Sequence, residues 1–99
     1  MTRKADVADL GVFRTSRFKR DWKRCVKSPD LDLGALADVV RRLARREPLD
    51  QRLRDHALTG RWRGHRECHI RPDWLLIYLI AEDELRLVRT GTHAELFGG

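Results

Sequence analysis

Cysteine is scarce in this chain of 99 residues: Cys25 and Cys68 are the two it has, far apart in sequence. A scaffold held by disulfides is excluded, and both thiols are expected reduced. Long apolar runs are missing as well. The longest, Trp74-Leu75-Leu76-Ile77-Tyr78-Leu79-Ile80-Ala81, has strand length, well short of the ~18 residues that a membrane span requires. Met1 to Asp9 is polar and charged and lacks the apolar stretch of a secretory signal. No internal repeat or low-complexity segment is present. These absences give an expectation of a cytoplasmic protein with no membrane partner. One domain is expected over residues 1–99, with 1–9 as a flexible leader. A chain this short buries roughly two-thirds of its unfolded surface, so it builds a single core.

Charge is abundant. Charged residues make up 36% of the chain, with 21 Lys+Arg against 15 Asp+Glu and a formal net charge of +6. Most of the cations are arginine, which forks onto phosphate and stacks on bases. A basic balance speaks of partners and not of fold. Nucleic acid is the first candidate; an anionic surface or an acidic protein follows.

The pattern of elements is β-α-α-β-β-β. Leu10 to Phe13 reads as a short strand. Thr15 or Ser16 caps a helix running to about Lys27, with Phe18, Trp22, Cys25 and Val26 on one stripe. Ser28-Pro29-Asp30 breaks it and can cap the next helix. There Leu33, Leu36, Ala37, Val40, Leu43 and Ala44 repeat at helical spacing. Arg41, Arg42, Arg45 and Arg46 crowd its end, where cations suit the helix dipole, and Pro48 stops it. Leu49 to Gly64 reads as loop. From His65 the period becomes two: His65, Glu67, His69 and Arg71 face one way, and Arg66, Cys68 and Ile70 the other. Leu75 to Ile80 is apolar on both faces, a central strand covered twice. Leu85 to Arg89 is the next strand. A short tail, with a helical turn, ends at Phe97. The fold class is α+β, a helical hairpin on one face of a small, mainly antiparallel sheet.

All four histidines lie between His56 and His93. His56 arrives from a loop, Glu67 and His69 from the polar, solvent-facing side of a strand, Asp73 from the following turn and His93 from the tail. Imidazoles can take and give protons near neutrality. Beside carboxylates and arginines they suit the cleavage of RNA by its own 2′-hydroxyl. A base removes the 2′-OH proton, cations stabilise the phosphate charge, and an acid protonates the leaving 5′-oxygen. No metal or cofactor is required. His65-x-x-Cys68-His69 has a metal-like spacing, but adjacent strand residues face opposite ways and no second pair follows. Trp62, between arginines, suits stacking on a base or packing over the sheet edge. Arg41, Arg42, Arg45 and Arg46 suit a phosphate or acidic-partner surface.

Four strings of residues resemble the YafQ-type branch of the RelE/ParE superfamily of bacterial toxins. They are Asp55-His56-x-Leu58, Gly60-x-Trp62-x-Gly64, Cys68-His69-Ile70-x-Pro72-Asp73-Trp74-x-Leu76-Ile77-Tyr78, and Arg89-Thr90-Gly91-Thr92-His93-x-x-Leu96-Phe97. The resemblance covers roughly Phe13 to Phe97. It implies a RelE-like microbial RNase fold and the toxin of a type II toxin–antitoxin system. The implied activity is a ribosome-dependent mRNA endoribonuclease acting in the ribosomal A site, with ribosomal RNA as a further partner. A cognate acidic antitoxin is also implied, a ribbon-helix-helix dimer giving a heterotetramer. Family catalytic positions fall on His56, His69, Asp73 and His93, with Glu67, Arg89 and Phe97 in support. Glu67 stands where relatives often carry Asp. On this reading His93 is the general acid and His56 or His69 the base. Asp73 orients an imidazole or raises its basicity. Arg89, with Arg63 or Arg66, meets the phosphate. Two other readings share the charge: a ParE-like gyrase poison, which would not need these histidines, and a catalytically silent basic module that binds RNA or a partner.

Overall fold

The computed structural model describes residues 9–28 and 31–98. Apart from Asp9, the expected leader lies outside the described residues, as do Pro29 and Asp30 of the expected break. Strand β1 is Gly11–Arg14, followed by helices α1 (Ser16–Cys25) and α2 (Leu33–Ala44). Strands β2 (His56–Ala57), β3 (Arg66–Arg71), β4 (Trp74–Ala81) and β5 (Glu84–Gly91) come next, and a short helix α3 (His93–Phe97) ends the chain. Thr15 caps α1 by accepting the Phe18 N–H at 3.0 Å, as its sequence position suggests. Asp32 caps α2 through the Ala35 N–H at 3.0 Å. The expected cap for that helix was two residues earlier.

The five strands lie in the order β1-β5-β4-β3-β2. β1 pairs with β5 in parallel, and every other neighbouring pair is antiparallel. Both helices lie on one face, α1 against β5 and α2 against β3. Their cluster takes in Phe18, Leu36, Val39, Cys68, Leu76 and Tyr78. The opposite face carries a smaller cluster of Leu75, Ile77 and Leu96, closed over by Leu58, Trp62 and Val88. β4 thus feeds apolar side chains to both faces, and Leu75, Leu76 and Ile77 are each 0% exposed.

Several sequence expectations shift. The buried stripe of α2 runs through Leu36, Val39, Leu43 and Ala44, while Ala37 faces solvent and Leu33 is 51% exposed. The spacing is helical, but the helix is rotated so that the larger Val39 is buried in place of Ala37, which removes more apolar area from water. On α1, Val26 is exposed and Asp21 is buried. The expected loop from Leu49 to Gly64 contains β2 and two 3₁₀ turns, at Gln51–Leu53 and Gly60–Trp62. β3 begins at Arg66, not His65, and a register shift between His69 and Arg71 turns Arg71 away from the His69 side. Arg71 pairs instead with Asp32 at the start of α2. Nor is the Glu67 side of β3 open to water, because Glu67 is only 4% exposed.

One edge of the sheet needs more than a strand. β1 ends at Arg14, opposite Leu87, whereas β5 continues to Gly91. Backbone groups left unpaired at a strand edge must find partners. Side chains from Thr15 and α1 supply them. The Thr15 hydroxyl donates to the Val88 carbonyl at 2.8 Å. Asp21 accepts the Thr90 N–H at 3.1 Å, and Arg24 donates to the Thr90 carbonyl at 3.2 Å. Asp21 also receives Nε and Nη2 of Arg89, at 3.0 and 2.9 Å, and Nη1 of Arg24 at 3.0 Å. A carboxylate 2% exposed is tolerable only with such partners. Burial pushes the Asp21 carboxyl up, but the hydrogen bonds from Arg89, Thr90 and Arg24 outweigh it and hold the group below its ordinary range.

Asp21→Asn leaves Arg89 without its counter-charge and should destabilise the protein by on the order of 3–5 kcal/mol at neutral pH. Because the folded pKa is depressed, the contribution is fully present above the unfolded value of ~3.9 and is lost as pH falls through the folded value. Thermal melts from about pH 6 down to about pH 2, across the carboxylate range, should show this acid loss in the native protein and less of it in Asp21→Asn. An identical acid limb in both would assign it elsewhere.

Candidate active site

Strand pairing builds the site. The register sets His56 of β2 opposite Glu67 of β3, Glu67 opposite Ile77, and His69 opposite Leu75. Cross-strand partners share a face, so His56, Glu67 and His69 stand on the face away from α1 and α2. Asp55 secures the approach to β2. Its Oδ1 accepts the Tyr78 hydroxyl at 2.5 Å and Nε of Arg66 at 3.1 Å. Asp55 directly precedes His56, but no local pattern marks it or its two partners for this role, because they come from separate strands.

Glu67 sits between two imidazoles. Its Oε1 lies 3.1 Å from Nε2 of His69 and 3.5 Å from Nε2 of His56. A carboxylate only accepts, so His69 donates through Nε2. His56 Nδ1 lies 2.6 Å from the Arg54 carbonyl and donates there for the same reason. The side chain of His69 is 15% exposed and that of His56 50%.

His93 completes a row. Its ring centroid is 5.4 Å from that of His69, which in turn is 6.2 Å from His56. His93 is the first residue of α3. Asp73, in the turn between β3 and β4, accepts both the His93 backbone N–H at 3.0 Å and its Nδ1 at 2.7 Å. Those backbone and side-chain hydrogen bonds hold the exposed Asp73 carboxyl below its ordinary range. With Nδ1 committed to Asp73, Nε2 of His93 is left to meet a substrate. Phe97 packs one turn further on, its ring 6.5 Å from that of His93. Beside His69 and His93 opens a cleft of about 760 Å³, bordered by Ala35 and Val39 of α2, the Arg52–Arg54 turn and Pro72.

The other expected site residues are placed differently. Arg89 is bound bidentately by Asp21 and its side chain is 15% exposed, so its guanidinium is engaged inside the fold and not offered to a phosphate. Arg66 is tied to Asp55, and Arg63 lies exposed after the Gly60–Trp62 turn. Arg41 and Arg42 pair with Asp38, and Arg46 with Asp83. Trp62 packs into the small cluster around Leu75 and Ile77. Cys68 points into the helix-side core, where burial pushes its thiol up to about 12. The His65-x-x-Cys68-His69 spacing is therefore not drawn into one ligand set. The described residues include no group of three or more His, Cys, Asp or Glu placed to hold a metal ion.

This arrangement has relatives. Residues 10–98 match the family described as the bacterial toxin of type II toxin–antitoxin systems, YafQ. The mRNA interferase toxin YafQ of Escherichia coli is 53% identical over 51 residues, which is 52% of this chain and 55% of that protein. The chain thus spans about half the length of that curated relative in the match. The E. coli DinJ–YafQ toxin–antitoxin complex contains a chain superposing with a TM-score of 0.82 at 36% identity, over 91% of this chain and 99% of that one. A copper-bound mutant toxin from Helicobacter pylori superposes at 0.84 with 42% identity, over 89% of this chain and 99% of its own. Together with the α+β fold and the row of histidines, these likenesses establish that the chain belongs to the YafQ family of bacterial toxins of type II toxin–antitoxin systems.

Proposed function

We propose that this chain is the toxin of a cytoplasmic toxin–antitoxin pair and cleaves mRNA in the ribosomal A site by general acid–base catalysis. The observation that carries the reading is the row of three imidazoles, with His69 anchored to Glu67 and His93 to Asp73. The likeness to a protein named an mRNA interferase supports the choice of substrate.

In this mechanism the 2′-oxygen attacks the scissile phosphorus as the bond to the 5′-oxygen breaks. The proton of the 2′-OH passes to the His56–His69 pair, which shares Glu67 as a counter-charge. His93 gives its Nε2 proton to the departing 5′-oxygen while Asp73 holds Nδ1. The products are a 2′,3′-cyclic phosphate and a 5′-hydroxyl. The protein supplies the acid, the base and the charge, so the step runs through no metal ion.

Contact with RNA falls more naturally to α1 than to α2. Arg17, Lys19, Arg20, Lys23 and Lys27 are all exposed, and none forms an ion pair among the described residues. Arg20 and Lys23 lie three positions apart on the helix side away from Phe18 and Asp21, and Lys27 follows in the turn after α1. On and after α2, by contrast, Arg41, Arg42 and Arg46 are partly neutralised by carboxylates, leaving Arg45 outside those pairs. The acidic antitoxin, a ribbon-helix-helix dimer in a heterotetramer, is the second partner.

His93→Ala should lower cleavage of mRNA on ribosomes by ~100- to 10,000-fold, the usual worth of a general acid, with an unchanged melting temperature. Near-native cleavage by a folded His93→Ala protein would remove His93 from the chemistry. Replacing Arg20, Lys23 and Lys27 by Gln should weaken ribosome binding and flatten its salt dependence, by about 0.7–0.9 in log–log slope for each phosphate that a cation no longer neutralises. The same change at Arg41, Arg42, Arg45 and Arg46 should do less. Equal slopes for all three proteins would make both helix faces ordinary solvated surface.

A further inference from the structure

We propose that Glu95 and Arg24 form a clamp that sets the position of His93, making Glu95 a positioning residue for the acid step. The proposal rests on the reading of His93 as general acid.

α3 is five residues long. Helices this short are not stable on their own, so its place must be imposed from outside. Leu96 supplies one anchor, buried in the small cluster with Leu75 and Ile77. Asp73 supplies another at the His93 N–H. The third is polar. The Thr92 hydroxyl accepts the Glu95 N–H at 3.2 Å, and Oε1 of Glu95 accepts the Thr92 N–H at 2.8 Å, closing a capping box around the residue that precedes His93. Both Glu95 oxygens then meet Arg24: Nε lies 2.9 Å from Oε2, and Nη2 lies 3.3 Å from Oε1.

Arg24 is itself held. Nη1 reaches Asp21 at 3.0 Å and Nη2 the Thr90 carbonyl at 3.2 Å. All three guanidinium nitrogens are thus engaged, and the buried Asp21 hub is connected to the turn that presents His93. Arg24 and Glu95 line a cleft of about 600 Å³ together with Cys25, Leu31 and Trp74. Gly91 permits the approach. A Cβ at Gly91 would lie 2.6 Å from Oε1 of Glu95 and 2.9 Å from Nη2 of Arg24.

The exposure of the pair separates positioning from bulk stability. The side chains of Arg24 and Glu95 are 42% and 38% exposed, and ion pairs that open to water add little to global stability. The geometry of a proton transfer is less forgiving, since a shift of about 1 Å can cost on the order of a hundredfold in rate. Loss of the clamp should therefore be felt in turnover and barely in the melt.

The test uses the full chain with mRNA-programmed ribosomes. Glu95→Ala should lower kcat by about ten- to a hundredfold with KM and melting temperature nearly unchanged. Glu95→Gln, which retains an oxygen for the Thr92 N–H, should fall between Glu95→Ala and the native protein. In a His93→Ala background, Glu95→Ala should cause no further loss, because two groups acting through one step are not additive. NMR titration supplies a readout independent of activity. The Asp73 carboxyl, held low by the His93 N–H and imidazole, should move back toward its ordinary value in Glu95→Ala. A rise in KM with constant kcat would make Glu95 a contact for RNA and overturn the proposal. So would a native Asp73 titration in Glu95→Ala, or losses that multiply in the double variant. Were His93→Ala itself fully active, the acid assignment would fall, while the Asp73 titration would still decide whether the clamp places His93.

Discussion

Much of this small fold is organised around one carboxylate shut away from water. Asp21 collects Nε and Nη2 of Arg89, Nη1 of Arg24 and the Thr90 N–H. A buried carboxylate without partners would be untenable, so the same contacts that make Asp21 tolerable fix α1 to the far half of β5. That half of β5 has no neighbouring strand on the β1 side, and α1 stands in for one. Beyond Thr90 the chain passes through Gly91 and Thr92 to His93. The position of an exposed imidazole is in this way connected to a side chain in the interior.

Carboxylates also organise the reactive face of a protein that is basic as a whole. Glu67 and Asp73 serve different geometries. Glu67 is buried and faces two imidazoles at once, so it couples His56 and His69 and fixes their rings. Asp73 is open to solvent and holds one residue twice, by backbone and by ring. Its grip on Nδ1 leaves Nε2 of His93 directed outward. Arg89, Arg71, Arg41 and Arg66 are engaged by Asp21, Asp32, Asp38 and Asp55, whereas Arg17, Lys19, Arg20 and Lys23 of α1, and Arg54 and Arg63 nearer the histidines, have no carboxylate partner among the described residues.

Local pattern made several parts of this legible in the sequence. The cap at Thr15, the doubly apolar β4, the turn that holds Asp73, and the opposite faces of Cys68 and His69 follow from short-range rules of side-chain direction and turn chemistry. The convergence of His56, His69, Asp73 and His93 was suggested by their chemistry and by resemblance. Other features carried no such local signature. A two-residue strand such as β2 has too few residues to show alternation, and its existence depends on β3 lying beside it. The burial of Asp21 reads in sequence as one more charge on a charged helix, although its place between Phe18 and Trp22 on the inward side was a clue.

Sequence alone determined which residues could do proton chemistry, the sign of the charge, the class of fold and most of its elements. These depend on side-chain type and on spacings of a few residues, which the chain carries wherever it folds. Tertiary structure decided which charges are free. Arg89, Arg41 and Arg46 read as available cations until Asp21, Asp38 and Asp83 come within reach of them. It also decided that Glu67 is buried between two histidines and that Glu95 meets Arg24, partners 71 positions away. An ion pair or a burial belongs to two segments at once, and its strength depends on the distance and the water between them. Neither quantity exists until the sheet has closed.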